Sequence, residues 1–212
     1  MRHPPHSHDW DRWLREWNQQ LLARFDPQRH NAFLGPRVTA EVIASGWLGY
    51  PGASEMQVTA LEDRLGASLP PTYRSFLRTS NGFLQPGVIV PRLLPTTEVE
   101  WFRVAHQPTI DAWTEGPAEL EGFERHLGSA LQVSAPERVG TAIYLLNPDV
   151  VNAEGEWEAF YFAHWVPGVH RYSSFRELML AEQDSWMAPP PPPRQSRLHK
   201  DRDVLRWILR PT

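Results

Sequence analysis

Apolar residues recur three and four positions apart in four stretches of this chain, and each stretch carries its own start or stop signal. Trp10, Trp13, Leu14, Trp17, Leu21 and Leu22 trace one stripe, which Asp9 or Asp11 can cap and Pro27 closes after Phe25. Val58, Leu61 and Leu65 trace a second. Ser54 caps it through its hydroxyl, Gln57 reaches back as the capping-box partner, and Gly66 ends it by adopting positive φ. Tyr73, Phe76 and Leu77 form a third after Pro70-Pro71, where a proline is tolerated because a first-turn N–H has no intrahelical partner. Phe175, Leu178 and Met179 follow a Ser173 or Ser174 cap. These spacings predict helices over 10–25, 54–65, 71–80 and 174–181.

Four segments read as strands. They are Gly87–Val90, closed by Pro91; Ala142–Leu146, stopping at Asn147-Pro148-Asp149; Glu156–Phe162, after a turn at Asn152–Gly155; and Val169–Tyr172. In a regular strand Glu156 and Glu158 share one face, opposite Trp157. Val38–Ile43 fits a short helix or a strand, and Trp47 reads as a plug for the core. Glu98–Phe102 reads as the start of a short helix, and Leu120, Phe123 and Leu127 as one amphipathic helix in an elaborated stretch, 103–136.

Glu62, Leu65-Gly66, Leu69-Pro70-Pro71, Tyr73, Phe76-Leu77 and Ser80-Asn81-Gly82 resemble, in type and spacing, the signature of the SMI1/KNR4 superfamily, also called SUKH. Ala53-Ser54-Glu55 before it and the Leu94-Pro95, Glu98-Val99 and Trp101 positions after it are similar to the family as well. So is the later order of strand, Asn-Pro, strand and Ser-Phe-x-x-Leu helix, so that the likeness spans roughly 46–182. It implies one α+β domain, a mixed or mostly antiparallel sheet packed against the helices, with the 10–25 helix as an added layer. The organisation expected is an N-terminal extension, 1–45, the SMI1/KNR4-like domain, 46–185, and a proline-rich linker with a short C-terminal helix, 186–212. The signature residues are expected to shape the second helix rather than perform chemistry.

Charge sharpens the picture. The formal net charge is -4, but residues 50–180 carry nine Arg against sixteen acidic residues, while 186–212 carry six basic against two acidic. An acidic body with a basic tail disfavours direct nucleic-acid binding and speeds encounter with a basic protein. Cysteine is absent, which excludes disulfides and thiol nucleophiles and fits a reducing cytoplasm. The N-terminus has no apolar core of a secretory signal, and no run of about eighteen apolar residues suggests a membrane span.

Catalytic and cofactor motifs are missing. There is no Gly-x-x-x-x-Gly-Lys, no Gly-x-Ser-x-Gly and no His-Glu-x-x-His, and the sole lysine is Lys200. His3, His6 and His8 stand in a polar terminus with nothing to fix metal geometry. Glu98 and Glu100 lie near His106, and Glu156 and Glu158 near His164 and His170, but linear proximity supplies no acid–base geometry. The expectation is no enzyme, no cofactor and no metal.

Bacterial members of the resembled superfamily are commonly immunity proteins that bind a cognate toxin, often a nuclease, and block it without chemistry. The resemblance therefore implies a cytoplasmic immunity protein whose partner is a basic toxin domain. Glu98, Glu100, Asp111, Glu115, Glu154, Glu156 and Glu158 are the candidate contacts, since an acidic face opposes a cationic substrate channel. Trp101, Trp113 and Trp157 are candidate anchors if exposed, with core packing as their other role. The alternative is a regulatory or scaffold module, in which Pro189–Pro193 and the apolar terminal segment Val204, Leu205, Ile208 and Leu209 recruit a partner. The proline run favours polyproline II, as an SH3- or WW-type ligand or as a spacer, and the terminal segment is expected to dock on the domain.

Overall fold

A computed structural model of the chain describes residues 10–24, 38–84, 90, 92–115, 122–135, 142–163 and 168–187. The predicted helix pair is present as α3, Glu55–Leu65, and α4, Pro71–Thr79. The capping box is made in full: Gln57 N donates to Ser54 Oγ at 3.2 Å, and Ser54 N donates to Gln57 Oε1 at 2.8 Å. Gly66 takes φ 66° at the end of α3. Glu62 then holds the connection to α4, accepting from Leu69 N at 2.9 Å and pairing with Arg74 at 3.3 Å. The stripes of both helices are buried.

Before this pair come α1, Trp10–Arg24, and α2, Ala40–Ser45, the latter settling Val38–Ile43 mostly as helix. The α1 stripe is part of the main core. Trp10 meets Phe76 edge-on at 5.5 Å, and Trp17 stacks on Phe83 at 5.8 Å. Asn18, buried on the same face, donates to Gly46 O and accepts from Leu48 N, which pins the following loop to the helix. Trp47 packs against Phe83 at 6.1 Å, the plug expected of it.

All strand pairings are antiparallel. A three-stranded sheet has the order β1 (Phe83–Leu84), β2 (Arg92–Leu93), β5 (Ser134–Ala135), with β2 between the other two. The larger sheet has the order β3 (Glu100–Trp101), β4 (Leu131–Gln132), β6 (Ile143–Val151), β7 (Trp157–Phe162), β8 (Val169–Tyr172). Only Val133 separates β4 from β5, so one short ribbon joins both sheets. The helices α5 (Phe102–Thr114) and α6 (Glu124–Leu127) lie between β3 and β4 in the chain, and α7 (Phe175–Met187) follows β8.

Both faces of the larger sheet are covered. Tyr144, Leu146, Trp157 and Ala159 face the core shared with α1, α3, α4 and α7. Ile143, Leu145, Phe160 and Phe162 face a second core with Phe102, Ile110, Phe123 and Leu127 of the α5–α6 region. The protein is thus an α+β fold with an antiparallel sheet whose central part lies between two helical layers, while the end of β6 and His170 and Arg171 of β8 reach solvent.

Three expectations change. Glu100-Trp101 is strand rather than helix, and the helix beginning at Phe102 is long, bending at His106 (φ −127°, ψ 25°) two residues before Pro108. β6 does not stop at Asn147-Pro148-Asp149. It runs on to Val151 through a register shift, which accommodates the proline's missing donor, and Asn147 Oδ1 accepts from Asp149 N at 3.1 Å. Finally, α7 runs six residues beyond 181. Its start is as predicted, with Ser174 Oγ accepting from Glu177 N at 3.2 Å. Most of the Gly87–Val90 strand, Leu120, the histidines of 1–9 and everything beyond Met187 lie outside the described residues.

Candidate partner-binding groove

The site is assembled around Ser80-Asn81-Gly82. Ser80 Oγ accepts from Tyr50 N at 3.0 Å and donates to Gly82 O at 2.6 Å. Asn81 Oδ1 accepts from Thr96 N at 2.7 Å, and Asn81 N donates to Pro51 O at 3.3 Å. Gly82 has φ 102°, a conformation that favours glycine. At Gly52 a Cβ would run into the Arg78 carbonyl. One turn therefore clamps the 50–52 loop on one side and the 94–96 loop on the other. Arg64 at the end of α3 ties down the next segment, donating to Thr96 O at 3.0 Å and Val99 O at 2.6 Å.

Between these walls lies a groove of two clefts. The first, about 390 Å³, is lined by Tyr50, Pro51, Gly52, Gln57, Asn81 and Pro95 together with Arg92 and Glu98. The second, about 240 Å³, shares Arg92 and Glu98 and continues past Leu94, Glu100 and Trp101 to Val104, His106 and Gln132. Arg92 Nη2 donates to Glu98 Oε2 at 2.6 Å, so an ion pair forms the common wall. Tyr50 and Val104, 41% and 66% exposed, put apolar surface at the two ends. The half-buried Trp101 is fixed by three contacts: its Nε1 donates to Leu65 O at 3.3 Å, its ring stacks on Trp157 at 6.5 Å, and Arg103 lies over it at 5.3 Å. Burial keeps the His106 imidazole below its ordinary pKa, with a Gln132 hydrogen bond opposing.

Of the candidate contacts, the structure brings Glu98, Glu100 and Trp101 together on this groove. Asp111 and Glu115 are exposed on the far half of α5, and Asp111 accepts from Gln107 Nε2 at 2.7 Å. Trp113 is half-buried against Phe123 and Phe162, at 5.3 and 5.7 Å. Glu154 is exposed in the turn between β6 and β7.

The other three are taken up by the fold. Glu156 is 6% exposed, and its carboxylate accepts from Thr72 N at 2.9 Å and Thr72 Oγ1 at 2.7 Å, capping the start of α4 from across the core. Burial raises its pKa and the Thr72 bonds offset part of that rise. Trp157 is 7% exposed beneath Trp101. Glu158 is held by Arg171 through bonds of 2.6 and 2.9 Å and by Asn147 Nδ2 at 3.0 Å. Burial works to raise its pKa, and these bonds outweigh it. Of the ten candidates, Glu156, Trp157 and Glu158 are thus taken up by burial or pairing, while Glu98, Glu100 and Trp101 line the groove beside Tyr50, Gln57, Asn81 and Val104, which linear reading does not group. The available signal for Val104 is an apolar residue off the buried stripe of its helix.

One other cluster has catalytic residue types without catalytic wiring. His126 Nδ1 donates to Asp149 Oδ2 at 2.9 Å, and Ser129 Oγ donates to the same oxygen at 2.6 Å. Arg125 Nε occupies His126 Nε2 at 3.1 Å, so the imidazole has no lone pair for the serine proton. These bonds latch α6 to β6, and His126 with Ser129 holds the Asp149 carboxyl below its usual pKa. Among the described residues no three His, Cys, Asp or Glu side chains group to hold a metal, and no helix is long and apolar enough to cross a membrane.

A comparison with curated proteins finds no match. A family profile, that of the SMI1 / KNR4 family (SUKH-1), matches residues 52–180, a span that contains the Ser-Asn-Gly clamp and every lining residue of the groove except Tyr50 and Pro51. The chain belongs to the SMI1/KNR4 family.

Proposed function

We propose that the protein is a non-catalytic immunity protein that binds and neutralises a basic toxin domain in the cytoplasm, with the groove edge at Glu98, Glu100 and Trp101 as its contact. The observation that carries this reading is the convergence of two half-exposed carboxylates and a rigidly held indole on one groove. Glu100 accepts from Trp101 N at 2.9 Å through Oε1 and approaches Arg64 only to 3.8 Å through Oε2, with Arg64 committed to two backbone carbonyls, so the carboxylate keeps acceptor capacity for a partner. An aromatic anchor with its rotamer fixed loses little entropy on binding, and acids beside it select a cationic partner. Asp111, Glu115 and Glu154, exposed elsewhere, extend the negative field that accelerates encounter. A nuclease domain, which needs a cationic channel for its substrate, has the complementary charge.

Capture of the C-terminal domain encoded beside this protein tests the reading. Binding should weaken about tenfold or more in Glu98→Arg/Glu100→Arg and fall with salt, with circular dichroism showing that the variant is folded. Absence of capture at low salt by a well-folded chain would refute the immunity function.

A further inference from the structure

β3 closes one end of the larger sheet and, among the described residues, pairs with β4 alone. Glu100 stands opposite Gln132, and Phe102 N donates to Ala130 O at 2.8 Å. Backbone bonds alternate along an antiparallel pair. Glu100 and Phe102 therefore turn their backbone groups toward β4, while Val99 and Trp101 turn theirs off the sheet. What meets those outward groups is side chain. Val99 O accepts from Arg64 Nη2 at 2.6 Å, and Trp101 N donates to Glu100 Oε1 at 2.9 Å. At β1, the edge of the smaller sheet, backbone fills the same place: Gly49 bridges to Phe83, and Leu84 N donates to Leu48 O at 2.9 Å.

A sheet edge takes an extended peptide as a further strand, its main chain supplying affinity and its alternate side chains specificity. Val99 O and Trp101 N flank Glu100, so about three extended residues satisfy both. The side chains now in their place, Arg64 and Glu100, are part-exposed and can withdraw without breaking a helix or a ladder. We propose that the outer edge of β3 receives an extended segment of the partner as an added strand. One N–H of the segment donates to Val99 O, and one of its carbonyls accepts from Trp101 N. Arg64 keeps its bond to Thr96 O, and Glu100 is released to meet a basic side chain of the same segment. The residue opposite Glu100 sends its side chain to the face where Glu100 and Gln132 line the second cleft, toward the exposed Val104. Proline is excluded at the position that donates to Val99 O. This proposal rests on the immunity reading for the partner's identity and assigns how that partner is held.

Glu100→Ala separates an added strand from the side chain that stands in for it. In the free variant the Trp101 amide loses its acceptor. It should exchange at least about tenfold faster than in the parent, read by NMR on the full-length, ¹⁵N-labelled chain. Saturation with the C-terminal domain encoded beside this protein should slow it again, with nuclear Overhauser contacts from the Trp101 amide proton to the domain's backbone. A captured variant whose Trp101 amide stays fast would overturn strand addition and leave the immunity function standing. Capture by the parent but not by Glu100→Ala would make the carboxylate itself the essential contact and overturn it as well. Capture by neither folded chain refutes both readings.

Discussion

Glu182 on α7 is 8% exposed and faces the sheet tyrosines Tyr144, Tyr161 and Tyr172. Burial pushes its pKa up to about 7, and the Tyr144 hydroxyl beside it offsets only part of that rise. The folded state thus holds a proton that the unfolded chain releases near 4.5. Stability from this group is complete below pH 4.5 and declines as pH rises toward 7, by an amount on the order of 3 kcal/mol at most. Glu182→Gln should flatten the difference between melts at pH 5 and pH 8 and leave the variant more stable than the parent at pH 8. Tyr73 makes a second case. Its hydroxyl is buried without a hydrogen-bond partner among the described residues, and burial raises its pKa. Tyr73→Phe should leave stability unchanged or raise it by about 1 kcal/mol in urea unfolding, since a buried unpaired hydroxyl is unfavourable. The most diagnostic aromatic of the motif is then held for its ring, not its oxygen. Glu156 behaves oppositely: Glu156→Ala orphans Thr72 N–H at the start of α4 and should cost about 1–3 kcal/mol by the same measurement.

At the scale of elements, α3 is legible because it combines a stripe, a cap and a stop within about a dozen residues. Ser54→Ala should cost about 1 kcal/mol, read by denaturant midpoint, because it opens the box that starts α3. The shorter strands are less legible. Glu100-Trp101 is too brief to show a period, and its strand character comes from pairing with Gln132 and Leu131, thirty residues away. Asn147-Pro148 reads as a stop locally, yet the sheet carries the chain past it by inserting a bulge. The depth of α1 is half legible. Three tryptophans on one helix demand burial, but only the fold shows them joining the central core. Trp17→Ala should therefore destabilise the whole protein by about 3–5 kcal/mol in one cooperative transition, rather than loosen an appendage.

Across the whole molecule, the sheet between two helical layers explains why so many aromatics are interior and why so few acids are left to compose a site. Glu98, Glu100 and Trp101 are close in sequence, so their shared groove is legible as an acid–aromatic segment. Tyr50, Gln57, Asn81 and Val104 reach the same groove from four separate segments, and no linear pattern announces a surface that only tertiary structure assembles. The Ser80-Asn81-Gly82 clamp gives that assembly a particular property. It holds the groove walls by their backbones, from beneath, so the side chains lining the opening bear little of the load. Substitutions at Tyr50 or Val104 should change stability by no more than about half a kcal/mol while changing the surface the groove presents. Descendants of this chain can therefore vary the outward-facing residues of the groove with no need to rediscover how to fold.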